Sequence, residues 1–301
     1  MNLAYIQLAL SMCLVGINIA VGKIIIQSVP IFLFSDIRFI IASLVLVPML
    51  FIQRDVRFNL TKKEWLMLFL QAFFGVFLFS IFMLYGVSYT SAISAGIITS
   101  TTPACIALIA LLFLKEKLSR NNFIAICLAV IGIILISVKW GNNAVTSTDT
   151  LQGNVLVICA VVSEALFTIL AKPLSIKLKP LQMAAMVNLF GFILFTPFSV
   201  HQLLMVDLKI NPVIWLLIIY YSLTASVLSF ILWYRGITKV PANLAGLFTV
   251  FMPVSSAFSG VLFLHESLTI RHVIGIIMAM TAILIAIKKT VPKKIPIASS
   301  E

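Results

Sequence analysis

Two ionisable side chains stand deep inside apolar stretches, and chemistry is expected there first. Glu164 lies in the run VLVICAVVSEALFTIL, about 11 residues past the start of its stretch and so roughly 17 Å deep at the helical rise. Arg38 lies in IFLFSDIRFIIASLVL, with Asp36 two residues before it. A charged residue at the centre of a hydrocarbon layer costs ~2.5–3.5 kcal/mol on insertion scales, so it needs a partner, a wet cavity or a function. Glu164 could meet a substrate amine or carry a proton; the alternative is an interhelical hydrogen bond from a protonated carboxyl. Arg38 could meet a substrate carboxylate, or it could clamp neighbouring helices through carbonyls and a carboxylate. Residues i and i+2 do not share a helix face, so Asp36 and Arg38 are not expected to pair. Lys23 is the partner expected for Asp36.

A second kind of chemistry belongs to the backbone. Pro103 and Pro253 each fall inside an apolar stretch, where proline brings no N–H to the carbonyl four residues earlier. Those carbonyls belong to Thr99 and Thr249. Freed carbonyls are tolerated in a membrane helix when they face protein or a watery cavity. Such a pair could form hinges that offer polar backbone to a substrate, or static kinks satisfied by neighbouring Ser or Thr; the hinge is favoured because the motif occurs twice. Asn18, Gln71 and Thr168 are uncharged polar groups deep enough to line a cavity, and Tyr221, Ser229 and Asn243 are further polar candidates. Tyr85, Trp65, Trp140, Trp215 and Trp233 fit the aromatic belt of a membrane interface.

These residues must be positioned by membrane helices. The chain has 301 residues, of which 62 % are hydrophobic and 10 % charged, with mean hydropathy +1.17. A soluble domain carries roughly 45–50 % apolar and about 25 % charged residues. The net charge of +12 comes from basic residues scattered between apolar stretches, which reads as membrane flanks rather than a nucleic-acid surface. The four cysteines lie inside apolar stretches without CxxC spacing, so neither a disulfide framework nor a zinc site is indicated. A spanning helix needs about 20 apolar residues. Ten stretches qualify: 3–26, 31–52, 65–85, 91–113, 122–139, 153–172, 180–199, 213–234, 243–263 and 271–287. The first lacks a basic flank and a small-residue cleavage site, and is expected to be a retained helix. With a cytoplasmic N-terminus, 16 Lys and Arg residues fall on inside connections and 4 on outside ones, with Arg38 left within a span. That bias predicts cytoplasmic N- and C-termini.

The chain also resembles itself at an offset of 150. Across residues 86–136 and 236–286, 16 of 51 aligned positions are identical, among them Ala92/Ala242, Gly96/Gly246, Thr99/Thr249, Pro103/Pro253 and Glu116/Glu266. The same offset pairs Pro30 with Pro180 and Trp65 with Trp215. Each copy holds five spans, an odd number, so the second copy enters the membrane from the opposite side. Inverted repeats recur in secondary transporters, because one sequence in two orientations can exchange two conformations. The expected fold is therefore all-α and integral to the membrane, with ten transmembrane helices as two inverted five-helix repeats, residues 1–150 and 151–301. Ala92-x-x-x-Gly96 and its copy present small faces for close packing of spans 4 and 9. Glu116 and Glu266 end those spans. Acid opposes the dipole at a helix C-terminus, so each is expected to have a basic or backbone partner.

The repeated order of a small-x-x-x-Gly face, a proline, Leu-x-Glu-x-Leu and an apolar helix, with Pro30 and Arg38 in span 2 and Ser163-Glu164-Ala165-Leu166 in span 6, resembles the EamA-type branch of the drug/metabolite transporter superfamily. The resemblance covers essentially the whole chain. It implies a ten-helix transporter of the bacterial inner membrane, a central path surrounded by spans 1, 3, 4, 6, 8 and 9, and a lateral second helix. Most members export amino acids and related metabolites. A minority import small molecules, including S-adenosylmethionine.

No HExxH, P-loop, GxSxG elbow or GxGxxG turn occurs in the sequence, so neither ATP hydrolysis nor an enzyme is expected. No cofactor is expected either. The partners are a small-molecule substrate, the lipid bilayer and protons as coupling ion, with no nucleic acid; a monomer and a homodimer both remain open. Export of amino acids or related small metabolites by alternating access is the expected function. Import of a nucleoside-like metabolite and a non-transporting membrane enzyme or assembly partner are the alternatives.

Overall fold

A computed structural model describes residues 3–52, 58–102, 104–106, 108–109, 123–124, 127–128, 131, 150–205, 210–239, 248 and 251–287. Among them the chain is all helical. The helices are α1 Leu3–Ile25, α2 Ile31–Ile52, α3 Lys62–Tyr89, α4 Ala92–Thr99, α5 Leu151–Leu174, α6 Pro180–Met205, α7 Pro212–Ile237, α8 Phe251–Leu264 and α9 Ile270–Ile287. Six of these, α1, α2, α3, α5, α6 and α7, are long and apolar enough to cross a membrane. Several helices exceed their apolar stretches because their ends are capped by polar residues. Thr61 and Glu64 form a reciprocal capping box that starts α3, and Asn211 followed by Pro212 starts α7; both arrangements satisfy amide donors at a helix start. Most of the stretch 122–139, and residues 103, 107 and 110–113 of the stretch 91–113, lie outside the described residues.

The long helices α3 and α7 are each interrupted by a π-helical segment, Phe73–Leu78 and Ser222–Leu228. Adding 150 to the first range gives 223–228, within the second. Single π turns bulge a helix and occur often at functional sites. Packing pairs the long helices in a way that also returns to itself on exchange of positions 150 apart. α2 lies along α6, and the packing of α1 on α7 matches that of α5 on α3; α1 also meets α8 and α5 meets α4, two contacts that the offset does not exchange. Between α2 and α6, Phe39 stacks on Phe195 at 5.6 Å, and Phe77 of α3 approaches the same ring at 4.8 Å.

The first small-residue face, Ala92-x-x-x-Gly96, closes the contact between α4 and α8; its copy, Ala242-x-x-x-Gly246, lies outside the described residues. A Cβ placed on Gly96 would lie 2.6 Å from Ser256 Cβ and 3.3 Å from Pro253 Cα, and Ser256 Oγ donates to the Ala92 carbonyl at 2.6 Å. Gly96→Ala forces two backbones apart and is expected to cost about 1–3 kcal/mol. The measurement is thermal unfolding of the purified variant in detergent, where a midpoint equal to wild type would show that the contact gives way freely.

Lys23 does not pair with Asp36. Its Nζ donates to Glu266 Oε1 at 2.9 Å and to the Thr90 carbonyl at 2.7 Å. Glu266 also accepts from the Ala92 and Ile93 amides at 2.9 and 3.1 Å. The acid that would oppose the dipole of its own helix thus satisfies the N-terminus of another, α4, where negative charge is favoured. Asp36 turns instead to α6, accepting from Thr196 Oγ1 at 3.2 Å. Glu266→Ala leaves a mostly buried ammonium and two amides without their acceptor, and should cost about 3–5 kcal/mol. Lys23→Met should cost roughly half as much, because Glu266 keeps its two amides. Equal losses of thermal stability in the two variants would contradict this division.

Candidate functional site

Five of the long helices surround a cavity of about 100 Å³. Its lining follows the offset of 150: Asn18 and Thr168, Gly75 and Ala225, Phe79 and Ser229, and Met83 and Trp233 all border it. Gly75 and Ala225 fall within the two π segments, so the bulges face the cavity. Most of the remaining lining is apolar and aromatic, including Met12, Phe167 and Phe230, and two charged side chains, Arg38 and Glu164, are set into it.

Arg38 reaches the cavity although α2 was expected to be lateral. It is buried, with Nε donating to Ser226 Oγ at 2.8 Å, one terminal nitrogen to Tyr221 Oη at 3.4 Å and the other to Ser80 Oγ at 3.4 Å. Its guanidinium carbon lies 4.2 Å from the centroid of the Phe39 ring and 5.1 Å from that of Tyr221, within cation–π range. The clamp between α2, α3 and α7 is therefore built from hydroxyls and rings rather than from carbonyls and a carboxylate. Ser226 sits in the π segment of α7, and its carbonyl accepts from Asn188 Nδ2 at 3.0 Å. Asn188 is the residue 150 positions from Arg38.

Glu164 borders the same cavity from α5. Its Oε2 is 3.0 Å from Thr102 Oγ1. Among the described residues the ion pairs join Lys23 to Glu266 and Lys177 to Glu64; Arg38 and Glu164 are in neither. Asn18 and Thr168 make matching bonds, Nδ2 to the Leu14 carbonyl at 2.8 Å and Oγ1 to the Glu164 carbonyl at 3.0 Å. Asn18 Nδ2 also reaches Thr224 Oγ1 at 3.0 Å, tying α1 to α7 beside the cavity.

The structure does not bring Gln71 to this cavity. Its Nε2 donates to Tyr234 Oη at 2.9 Å in a buried contact between α3 and α7. Asp36 also points elsewhere, as described above. Trp233 borders the cavity rather than an interfacial belt, and its buried Nε1 has no hydrogen-bond partner. A buried unpartnered donor facing a cavity is a group a polar ligand could satisfy. Tyr85 packs edge-on against Phe32 of α2.

Pro103 and Thr249 lie outside the described residues, and Pro253 is buried in α8 against Gly96. Before Pro103, four consecutive hydroxyls each donate to the carbonyl three residues earlier: Thr99 to Gly96, Ser100 to Ile97, Thr101 to Ile98 and Thr102 to Thr99, at 2.5–2.8 Å. The Gly96, Ile97 and Ile98 carbonyls also accept the backbone amides of Ser100 and Thr101, so it is at the Thr99 carbonyl, to which Pro103 brings no N–H, that a side-chain donor takes the place of a helical amide. Thr102, Ser80 and Ser226 were missed in the sequence, since isolated hydroxyls in apolar helices are common. The one available signal was the position of Thr102 directly before proline.

Two segments, residues 2–138 and 151–288, match the model of the EamA-like transporter family. The chain is 41 % identical over 300 residues to the uncharacterized transporter YetK of Bacillus subtilis (strain 168), covering 99 % of this chain and 91 % of that protein. It is 24 % identical over 285 residues to an uncharacterized transporter of Archaeoglobus fulgidus, covering 95 % and 99 %. A solved crystal structure with 14 % identity superposes with a TM-score of 0.65 over 95 % of this chain and 97 % of that one, a likeness of fold.

Proposed function

The chain belongs to the EamA-like transporter family, a multi-pass membrane transporter rather than an enzyme, and from that premise we propose that it exports amino acids or related small metabolites by alternating access. In this reading the chain crosses a bacterial inner membrane ten times. Residues 1–150 and 151–301 form two inverted halves with both termini cytoplasmic, as the 16-to-4 distribution of basic residues favours. The observation that carries the proposal is the cavity itself. It holds one cation, Arg38, and one acid, Glu164, in an apolar and aromatic lining contributed by positions 150 apart.

A zwitterion fits that pattern: a carboxylate on Arg38, an ammonium on Glu164 and an apolar group among Phe167, Phe230 and Trp233. A buried guanidinium held by hydroxyls and rings keeps its charge available to an anion that enters. Glu164 exchanges its substrate amine for a proton in the return half of the cycle, which supplies the gradient coupling. Rocking occurs at the breaks marked by Thr99–Pro103 and Thr249–Pro253, with the π segments of α3 and α7 as further points of give.

The test is paired metabolite profiling of medium and cell extract after induction, against a variant changed at both Arg38 and Glu164. Amino acids that rise outside and fall inside, only for wild type, support export. Enrichment inside the cell would replace export by import, and a nucleoside-like compound among the enriched species would replace the substrate class.

A further inference from the structure

One hydroxyl stands between two acceptors at the place where α4 ends. Thr102 Oγ1 is 2.7 Å from the Thr99 carbonyl and 3.0 Å from Glu164 Oε2. A threonine hydroxyl carries one proton and accepts at its lone pairs, so it can donate to only one of these oxygens at a time. The Thr99 carbonyl is the one to which Pro103 brings no N–H. A protonated Glu164 carboxyl can donate to Thr102 Oγ1, leaving the hydroxyl proton on the Thr99 carbonyl. An ionised Glu164 can only accept, so it draws the Thr102 proton to itself and the carbonyl loses that donor.

We infer that Thr102 is a positioning residue that transmits the protonation state of Glu164 to the backbone break before Pro103. When the carboxyl holds its proton, the chain runs Glu164 to Thr102 to Thr99 and closes the end of α4. When the proton leaves Glu164 for water in the cavity, the Thr102 hydroxyl rotates toward the carboxylate and the break loosens. No covalent bond other than that of the departing proton changes. The switch belongs to one half only, since the positions 150 away hold Met252 and Leu14. It would make the break in α4 responsive to protons and leave its counterpart near Pro253 unresponsive.

The surroundings of Glu164 are consistent with this assignment. Cys105 follows the break in the sequence, and Arg38 and Tyr221 border the same cavity as Glu164. From α3, Gly75, Phe79 and Met83 reach the cavity, whereas its Tyr85 packs on Phe32 and its Glu64 pairs with Lys177. Thr102 supplies the side-chain hydrogen bond to the carboxyl. The three hydroxyls before it, on Thr99, Ser100 and Thr101, donate to carbonyls of their own turn and are independent of Glu164.

The inference rests on the reading of Glu164 as a proton carrier, but its test needs no substrate. The full-length protein in lipid nanodiscs is followed by infrared difference spectroscopy of the carboxyl band, and by hydrogen exchange of the peptide covering residues 96–106. Both are read at acid and alkaline pH with correction for intrinsic exchange. Wild type should lose the Glu164 carboxyl band on going alkaline, while the peptide exchanges about tenfold faster, the factor set by one lost hydrogen bond at a backbone carbonyl. Thr102→Val keeps shape without the proton, so its peptide should exchange fast at both pH values. Glu164→Gln retains a donor toward Thr102 and should hold the peptide slow at both. Thr102→Ser should restore the step. If Glu164 titrates and Thr102→Val keeps the wild-type step, the inference is overturned and proton carriage by Glu164 survives. A carboxyl band that does not change with pH overturns both.

Discussion

Arg38→Gln is expected to lower substrate transport at least tenfold, and about 100-fold where the substrate carboxylate is fully desolvated. A hydrogen bond to a charged group contributes ~1.5–3 kcal/mol, and Arg38 is the cationic side chain that lines the cavity. Arg38→Lys should fail nearly as badly. The guanidinium holds Ser226, Tyr221 and Ser80 at once while lying on the Phe39 ring, a planar fork that an ammonium cannot reproduce. Each variant keeps a donor toward the hydroxyls of α3 and α7, of which Tyr221 borders the cavity, and is expected to fold. Uptake or efflux rates of the metabolite found by profiling, measured beside the amount of folded protein, separate lost transport from lost protein. Full transport by Arg38→Gln would reduce the residue to a helix clamp.

Glu164→Gln carries the second large effect. The amide can still hydrogen-bond Thr102, so packing of α5 against α4 should persist. What it loses is the ability to bind and release a proton and to attract an ammonium. Transport is expected to fall roughly ten- to 100-fold, again the scale of one charged hydrogen bond. Whatever transport remains should have lost the wild-type pH dependence. Unchanged rates with an unchanged pH profile would remove Glu164 from the mechanism and leave it an interhelical contact with Thr102.

Residue type and depth made half of this site legible in the sequence. Glu164 and Arg38 stand out because ionisable groups in apolar stretches are costly, and Asn18 and Thr168 because uncharged polar groups at the same level need partners. All four border the cavity. Helix phase was not legible. These helices are apolar on every side, so no polar stripe marks the face that looks inward. Gln71, as deep as the others, therefore turned out to face Tyr234, and Asp36, two residues from Arg38, to face α6. The π segments add a second difficulty, since a bulge rotates every residue beyond it relative to regular helical spacing. Trp233 lies past the bulge of α7 and reaches the cavity. Contacts between distant segments were beyond sequence reasoning for a different reason: Lys23 had an acidic candidate at Asp36, and its real partner, Glu266, is 243 residues away.

The arrangement as a whole has polar weight on one side of its internal symmetry. Asn18 is matched by Thr168 and Gly75 by Ala225, but Arg38 is matched by Asn188 and Glu164 by Leu14. A cavity whose walls repeat while its charges do not can keep one site accessible from alternate sides and still bind a substrate in a single orientation. That combination would suit an asymmetric cargo such as the amino acid proposed above.

The most direct measurement is efflux from liposomes that contain only this purified protein and are loaded with an amino-acid mixture, with release read by mass spectrometry across an imposed proton gradient. The expected result is release of at least one amino acid faster than from protein-free liposomes, reduced at least tenfold in Arg38→Gln reconstituted to the same density. Release no faster than from protein-free liposomes, or release undiminished in Arg38→Gln, would contradict the assignment of this cavity as the amino-acid translocation site.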